Sequence, residues 1–270
     1  MSVGGSQFAV WQNKMIVAFV LMLAFQQPET MSLLDKPLFA PALPKEERNT
    51  KEAALAEARA AYDRDRTNVD AIVALSRAQM ALGRVGDSLE TVTRAQEAKP
   101  DDARLALERA RGLIVIRKFE MAGRDLRKPA ETLPEASCAL GLALYLATNY
   151  TQAREAFAKC PDPGIFAYLA DWRVGPSARP RPTVPPADPS AKKGEETRAS
   201  MTARYLDAAE RLIQKDMTGA RELLKQIVEK DVNRWMDPVY IAAEADYARL
   251  PKVDSKKKKT TKKKKPKSTI

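Results

Sequence analysis

The chain has 270 residues, of which 46 are lysine or arginine and 35 are aspartate or glutamate, so its formal net charge is +11. It contains no histidine and only two cysteines. These counts exclude Ser-His-Asp catalysis, histidine-based proton transfer and the usual zinc sites, and no glycine-rich phosphate loop is present. We therefore expect a protein that is not an enzyme and that has no cofactor, metal ion or small-molecule substrate.

An apolar run, Met15–Phe25, follows Lys14 near the start of the chain. Its eleven residues have the length of a signal-peptide core and fall short of the about 20 residues that cross a bilayer. Residues 1–27 therefore indicate a signal peptide and export to the periplasm or cell envelope. A retained membrane anchor and a buried helix of a cytoplasmic protein are the alternatives. Residues 28–49 contain four prolines and no helical spacing, which predicts a disordered spacer.

Residues 69–100 predict a helical hairpin. Apolar or small side chains recur at steps of three and four residues from Ile72 to Leu82, and Gly83 ends this first helix. A second helix covers Val85–Lys99 and stops before a proline. Each helix has an apolar stripe that a single partner helix cannot cover, so further hairpins must stack on both sides.

This hairpin resembles the tetratricopeptide repeat, whose unit has about 34 residues. Gln79 departs from the pattern, because the family favours an aromatic residue there. A second unit covers residues 103–133, in which Pro129 shortens the outer helix. A third unit continues to Phe157, and Lys51–Arg64 is similar to the second helix of a degenerate leading unit. The positions that carry the resemblance in the first unit are Ile72, Leu75, Ser76, Leu82, Gly83, Ser88, Val92, Ala95 and Pro100.

The resemblance implies an all-α fold, with a helix-turn-helix repeat solenoid over residues 50–174; an ordinary helical bundle is the alternative. Gly164–Arg173 predicts a single helix that closes the solenoid. Residues 175–194 hold six prolines and predict an extended linker. Residues 195–250 return to helical spacing, and their last helix begins at Asp237-Pro238. They form a small C-terminal module that either stands apart or folds back onto the first solenoid.

Residues 251–270 form a tail with ten lysines and one aspartate. Like charges and the lack of apolar residues predict disorder. The tail either contacts an anionic polymer, an anionic lipid or a nucleic acid without sequence selection, or it stays solvated. Its two lysine blocks are Lys256, Lys257, Lys258, Lys259, Lys262, Lys263, Lys264 and Lys265.

The family resemblance also implies a concave groove, lined by the first helices of successive units, that binds a peptide or a partner helix. Arg77 and Arg111 occupy equivalent places in adjacent units, where they either hold an acidic peptide together or solvate an exposed helix face. The implied function is a non-catalytic adaptor or scaffold for a protein partner. The alternative is a polyanion- or membrane-surface-binding protein that uses the lysine tail. Transferred position by position, the groove residues are Asp70, Val73, Arg77, Met80, Arg104, Leu107, Arg111, Ile114, Cys138, Leu142 and Tyr145.

The two cysteines fall at opposite ends of the third predicted hairpin. Cys138 opens its first helix and Cys160 closes its second. Antiparallel packing would bring these ends together, which allows a disulfide in an exported protein. Two separate small apolar side chains are the alternative.

Overall fold

A computed structural model describes residues 27–177, 179–184 and 197–251. The predicted signal peptide (apart from Gln27), residues 185–196 around the end of the linker, and the lysine tail from Lys252 onward lie outside these residues. In the part that is described, eleven α-helices follow one another along the chain. They are α1 (Lys45–Arg64), α2 (Val69–Ala81), α3 (Val85–Ala98), α4 (Ala103–Val115), α5 (Phe119–Leu126), α6 (Pro134–Leu146), α7 (Tyr150–Phe157), α8 (Gly164–Val174), α9 (Arg198–Ile213), α10 (Met217–Lys230) and α11 (Pro238–Arg249).

The helices pack as hairpins in the order of the chain. Each helix contacts the next, and the first helices of successive hairpins, α2, α4, α6 and α8, also contact one another. The second hairpin has a short outer helix, because α5 ends at Leu126 and Pro129 starts a 3-10 turn. The sequence predicted this short helix from the position of Pro129. This packing is that of a helix-turn-helix solenoid, and the predicted all-α repeat fold is therefore confirmed.

The same turn joins the two helices of four hairpins. Its central residues, Gly83, Arg117, Thr148 and Lys215, have positive φ angles of 76°, 65°, 65° and 64°. The amide after each of them donates to a carbonyl five residues back, which is the Schellman pattern of a helix end. The C-terminal hairpin α9–α10 therefore repeats the local structure of the earlier ones. The donor and acceptor residues are Arg84 and Gln79 (3.0 Å), Lys118 and Leu113 (2.8 Å), Asn149 and Leu144 (2.8 Å), and Asp216 and Arg211 (2.8 Å).

The C-terminal module folds back onto the first solenoid. Helix α9 packs against α8, and α11 reaches α6. The ring of Phe166 lies between those of Tyr145 and Tyr205, with centroid distances of 5.4 and 6.3 Å. Buried apolar residues of both parts form one continuous cluster. Helix α8 therefore joins the two parts, whereas the sequence predicted that it would close the solenoid.

Two buried ion pairs hold α11 against the first solenoid. Arg117 Nε donates to Glu244 Oε2 at 2.7 Å, and the two side chains are 3% and 0% exposed. Arg173 Nη2 donates to Asp246 Oδ2 at 2.8 Å. Removing one partner of such a pair leaves a charge buried without a counter-ion, which is strongly unfavourable. Both pairs therefore favour the observed position of α11 against the first solenoid.

The N-terminal segment corrects a prediction, since residues 28–49 are not a disordered spacer. Thr30–Met31 and Pro37–Leu38 form a short antiparallel hairpin, β1 and β2, and α1 begins at Lys45. Leu38 is buried, and Trp235 Nε1 donates to the Phe39 carbonyl at 2.7 Å. The segment contacts a residue 196 positions further along the chain, and no local sequence pattern indicates such a contact.

A disulfide joins Cys138, in the first turns of α6, to Cys160, just after α7. It links the start of one helix to the end of the next, as antiparallel packing of the hairpin allows. Of the two alternatives that the sequence leaves open, the structure has the disulfide.

Candidate partner-binding groove

A cavity of about 1080 Å³ lies between the first solenoid and the C-terminal module. Helices α4 and α6 and the start of α8 form one wall, and the starts of α9 and α11 form the other. Linker residues Pro182, Thr183 and Val184 complete the lining. The cavity therefore requires both parts of the chain.

The lining of this cavity is mainly apolar. Ile114, Leu142 and Phe166 contribute from the solenoid. The module side contributes Met236, Val239 and Ile241. Four charged side chains also belong to the lining, two of each sign, and they are Arg111, Glu135, Asp162 and Arg198. Such a surface favours an apolar ligand segment with a few polar contacts at its edge.

The structure brings only some of the predicted groove residues together. Arg111, Ile114, Cys138 and Leu142 line the cavity. Asp70, Val73, Arg77, Met80 and Arg104 lie on α2 and at the start of α4, outside it. Leu107 and Tyr145 do not line the cavity and are buried in the core.

Tyr145 is buried because the C-terminal module covers it. Its hydroxyl lies 3.0 Å from the Tyr205 hydroxyl, which in turn donates to Asp246 Oδ2 at 3.1 Å. Burial raises the pKa of Tyr145 well above its ordinary value. The residue therefore stays neutral and connects the two parts of the fold. The repeat pattern alone gave no indication of this contact, since it describes only the first solenoid.

The predicted arginine pair already holds a carboxylate from the chain itself. Arg77 Nε and Nη2 donate to Glu108 Oε1 at 2.9 and 2.6 Å, and Arg111 Nη1 donates to the same oxygen at 2.7 Å. Glu108 is buried, whereas both arginine side chains remain partly exposed. Two positive charges share one negative charge, so the trio keeps a net charge of +1. Arg111 brings this charge to the edge of the cavity.

Two further predicted groove residues pair with each other. Arg104 Nη1 donates to Asp70 Oδ1 at 2.6 Å, and both side chains are exposed. An exposed pair of this kind contributes little free energy. It links the starts of α2 and α4 at the rim of the solenoid, away from the cavity.

The module side of the cavity was missed by sequence reasoning. The sequence did predict a helix that begins at Asp237-Pro238, and Asp237 Oδ1 accepts from the Val239 amide at 2.9 Å as a helix cap should. It did not predict that Val239 and Ile241 would line one cavity together with residues of α4 and α6. The long stretch of consecutive buried residues in α11, from Val239 to Asp246, follows from contacts on all sides of this helix.

Other kinds of site are not found in the part of the chain that the structure describes. No group of three or more metal-binding side chains occurs among residues 27–177, 179–184 and 197–251. Within the same ranges, no helix has the length and apolar character needed to cross a bilayer.

Comparison with known proteins gives one family match. Residues 46–111 match the sequence model of the tetratricopeptide repeat family. The chain gave no match among curated proteins or among solved structures. Tetratricopeptide repeats generally mediate protein–protein interaction and are typically not enzymes. The matched residues cover α1, α2, α3 and most of α4, so the match includes the hairpin recognised from Ile72, Leu82 and Gly83.

Proposed function

We propose that the chain is a non-catalytic adaptor that binds a short segment of a protein partner in the cavity between α4, α6 and α11. The observation that carries this proposal is the cavity itself, with about 1080 Å³ of space and mainly apolar walls. Its volume lies just above the usual range of about 300–1,000 Å³ for ligand pockets. It suits a few side chains of an extended or helical peptide better than a whole helix.

The preferred segment combines apolar side chains with one carboxylate. Leu142, Ile165 and Met236 line the cavity and are partly exposed, so they offer apolar contacts inside it. Arg111 lies at its edge and shares Glu108 with Arg77, so its positive charge is only partly compensated. A carboxylate of the ligand, from a side chain or a C-terminus, would form a charge-assisted hydrogen bond with Arg111.

Peptide selection followed by affinity measurement tests this proposal. Peptides are selected from a random display library on the folded chain, and their dissociation constants are measured by fluorescence polarisation. Ala139→Trp places a large ring at the cavity wall, and we expect it to weaken binding by at least about tenfold, because filling the space removes a buried side chain of the ligand. Ala158→Trp, at an exposed position beyond α7, is the matched control and should bind as the wild type does.

The contribution of Arg111 is tested by a second pair of variants. Arg111→Gln should weaken the binding of carboxylate-bearing peptides by roughly tenfold or more, the loss expected for a charge-assisted hydrogen bond. Arg77→Gln removes the other arginine of the trio, which does not line the cavity, and should have a smaller effect. Selected peptides that bind Ala139→Trp as tightly as the wild type would place the binding site elsewhere and end the proposal.

We also propose that the chain works in an oxidising compartment, such as the periplasm or cell envelope. The disulfide between Cys138 and Cys160 supports this, since structural disulfides persist where thiols are not kept reduced. The test is cell fractionation with mass spectrometry of the N-terminus. A chain found in the cytoplasm with two free thiols would contradict the proposal.

A further inference from the structure

The disulfide between Cys138 and Cys160 lies in the wall of the cavity. Cys138, on α6, is itself a lining residue. Cys160 directly precedes six consecutive lining residues, 161–166, which lead from the end of α7 into α8. We call the first four of them, residues 161–164, the wall segment. The disulfide therefore joins the wall segment to the helix that forms the neighbouring part of the wall.

The wall segment has few attachments besides the disulfide. Pro161 and Pro163 have no amide hydrogen to donate. Asp162 is exposed, and within the described part of the chain its carboxylate has no hydrogen bond or ion pair. Gly164 is also exposed, and a Cβ there would contact no other part of the described chain within 4 Å. The bond to Cys138 is therefore what ties the proline end of the segment to α6.

The packing of α6 on α7 has a basis of its own. The Phe157 ring lies directly on the backbone of Gly141, where a Cβ would be 2.5 Å from Phe157 Cδ1. Leu144 of α6 and Ala153 of α7 are buried as well. We therefore expect that breaking the disulfide frees the wall segment while the two helices remain packed.

A reductant reaches the disulfide from the cavity side. Cys160 is 8% exposed, whereas Cys138 is partly exposed and lines the cavity. A thiolate of a dithiol attacks Cys138 Sγ, forms a mixed disulfide and releases the Cys160 thiolate, which takes up a proton. The second thiol of the reductant then displaces Cys138, which is protonated in turn. The products are two cysteine thiols and one oxidised dithiol.

We propose that this disulfide is a redox switch for the cavity. The oxidised chain binds the partner segment, and reduction by a dithiol weakens the binding because the wall segment is released. The inference rests on the binding proposed for the cavity. Coupling between two events on one molecule is reciprocal, so a bound ligand makes the disulfide harder to reduce by the same factor by which reduction weakens binding.

Nuclear magnetic resonance relaxation tests the release of the wall segment without any ligand. Backbone order parameters of the full chain are measured before and after reduction with tris(carboxyethyl)phosphine. We expect those of the Asp162 and Gly164 amides to fall from about 0.85 to below about 0.6, the values of rigid and flexible backbone. The amide of Ile72, in α2 and outside the cavity wall, is the internal control and should not change.

Peptide affinity provides the second measurement. The probe is a cysteine-free, fluorescein-labelled peptide selected from the display library on the oxidised chain. Reduction should weaken its binding by roughly tenfold, because contacts with one part of the wall are lost. The double variant Cys138→Ser with Cys160→Ser should bind as weakly as the reduced chain, with or without reductant. Saturating peptide should lower the reduction potential of the disulfide by about 30 mV, which corresponds to tenfold for two electrons.

Leu75→Ala controls for a general loss of stability. Leu75 is 1% exposed in α2 and does not line the cavity, so this variant keeps the disulfide and should bind the peptide as the wild type does. Circular dichroism checks that every form is folded. Equal affinity of the oxidised and reduced chains, or unchanged order parameters at Asp162 and Gly164, would overturn the inference alone. A selection that yields no peptide for the oxidised chain would end the proposed function and this inference with it.

Discussion

Removing one partner of the buried pair of Arg117 and Glu244 is expected to destabilise the closed fold strongly, where the closed fold is the arrangement in which the C-terminal module packs on the first solenoid. Glu244→Ala removes the only carboxylate that lies against the Arg117 guanidinium in the described contacts. Burial lowers the pKa of Arg117 and Glu244 opposes that shift, so the pair keeps the guanidinium charged in a poorly hydrated place. Without Glu244, the guanidinium retains only the carbonyls of Val115 and Trp235 and the Trp235 ring.

The expected loss in the free energy of unfolding is about 3–5 kcal/mol, the cost of leaving one partner of a buried pair alone. Domains of this kind have about 5–15 kcal/mol in total, so the effect is large. Urea unfolding measures it. With a slope of about 1–3 kcal/mol per molar urea, the midpoint should fall by roughly 2 M.

Two controls make this measurement specific. Glu90→Ala breaks an exposed pair, Arg94 Nη2 to Glu90 Oε1 at 2.6 Å with both side chains 68% exposed, and should cost about 0.5 kcal/mol or less. The double variant Arg117→Met with Glu244→Leu replaces both charges by apolar groups and should recover most of the stability. If Glu244→Ala costs no more than Glu90→Ala, the pair does not stabilise the closed fold and our reasoning about α11 fails.

Three further predictions concern the turns, the disulfide and a buried carboxylate. Thr148→Gly should raise the free energy of unfolding by about 1 kcal/mol in thermal melts, because Thr148 has a φ of 65° that strains a β-branched residue. Gly83→Ala should lower the free energy of unfolding, because a Cβ at this position would lie 2.5 Å from Pro41 Cδ. Reducing the disulfide, whose cysteines are 22 positions apart, should lower stability by about 3 kcal/mol, measured as a shift in the urea midpoint with and without reductant. Burial raises the folded-state pKa of Asp246 above its ordinary value of 3.8, although Arg173 and Arg249 oppose this. The stability of the wild type relative to Asp246→Asn is therefore fully present below 3.8 and is lost as the pH rises through the folded-state pKa, and urea midpoints of both proteins across that range would show it.

The sequence predicted the parts of the fold that depend on local chemistry. Leu82-Gly83 marked the first turn because glycine adopts a positive φ at no steric cost. The hairpin α9–α10 has the same turn with Lys215 in the glycine position, so no glycine marks this turn in the sequence. A non-glycine residue in this conformation is maintained by the surrounding helices, and those contacts cannot be read from the residue itself.

The arrangement of α11 could not be predicted from its pattern for a different reason. Glu244 and Asp246 look like solvent-facing residues in the sequence, yet both are buried. Their partners, Arg117 and Arg173, belong to a turn and a helix end far away in the chain. Charge pairs of this kind show no periodicity, and periodicity is the signal from which the helices were found.

These same contacts decide whether a cavity exists at all. Val239 and Ile241 form one wall, and the carboxylates of Glu244 and Asp246, on the next turns of α11, fix that wall against the first solenoid. A ligand that touches both walls binds only the closed fold, and by mass action it stabilises that fold by RT ln(1 + [L]/Kd), where [L] is the free ligand concentration. The hairpins of the first solenoid alone would present α4 and α6 as an open surface. Partner binding is therefore expected to depend on residues such as Glu244 that never touch the ligand.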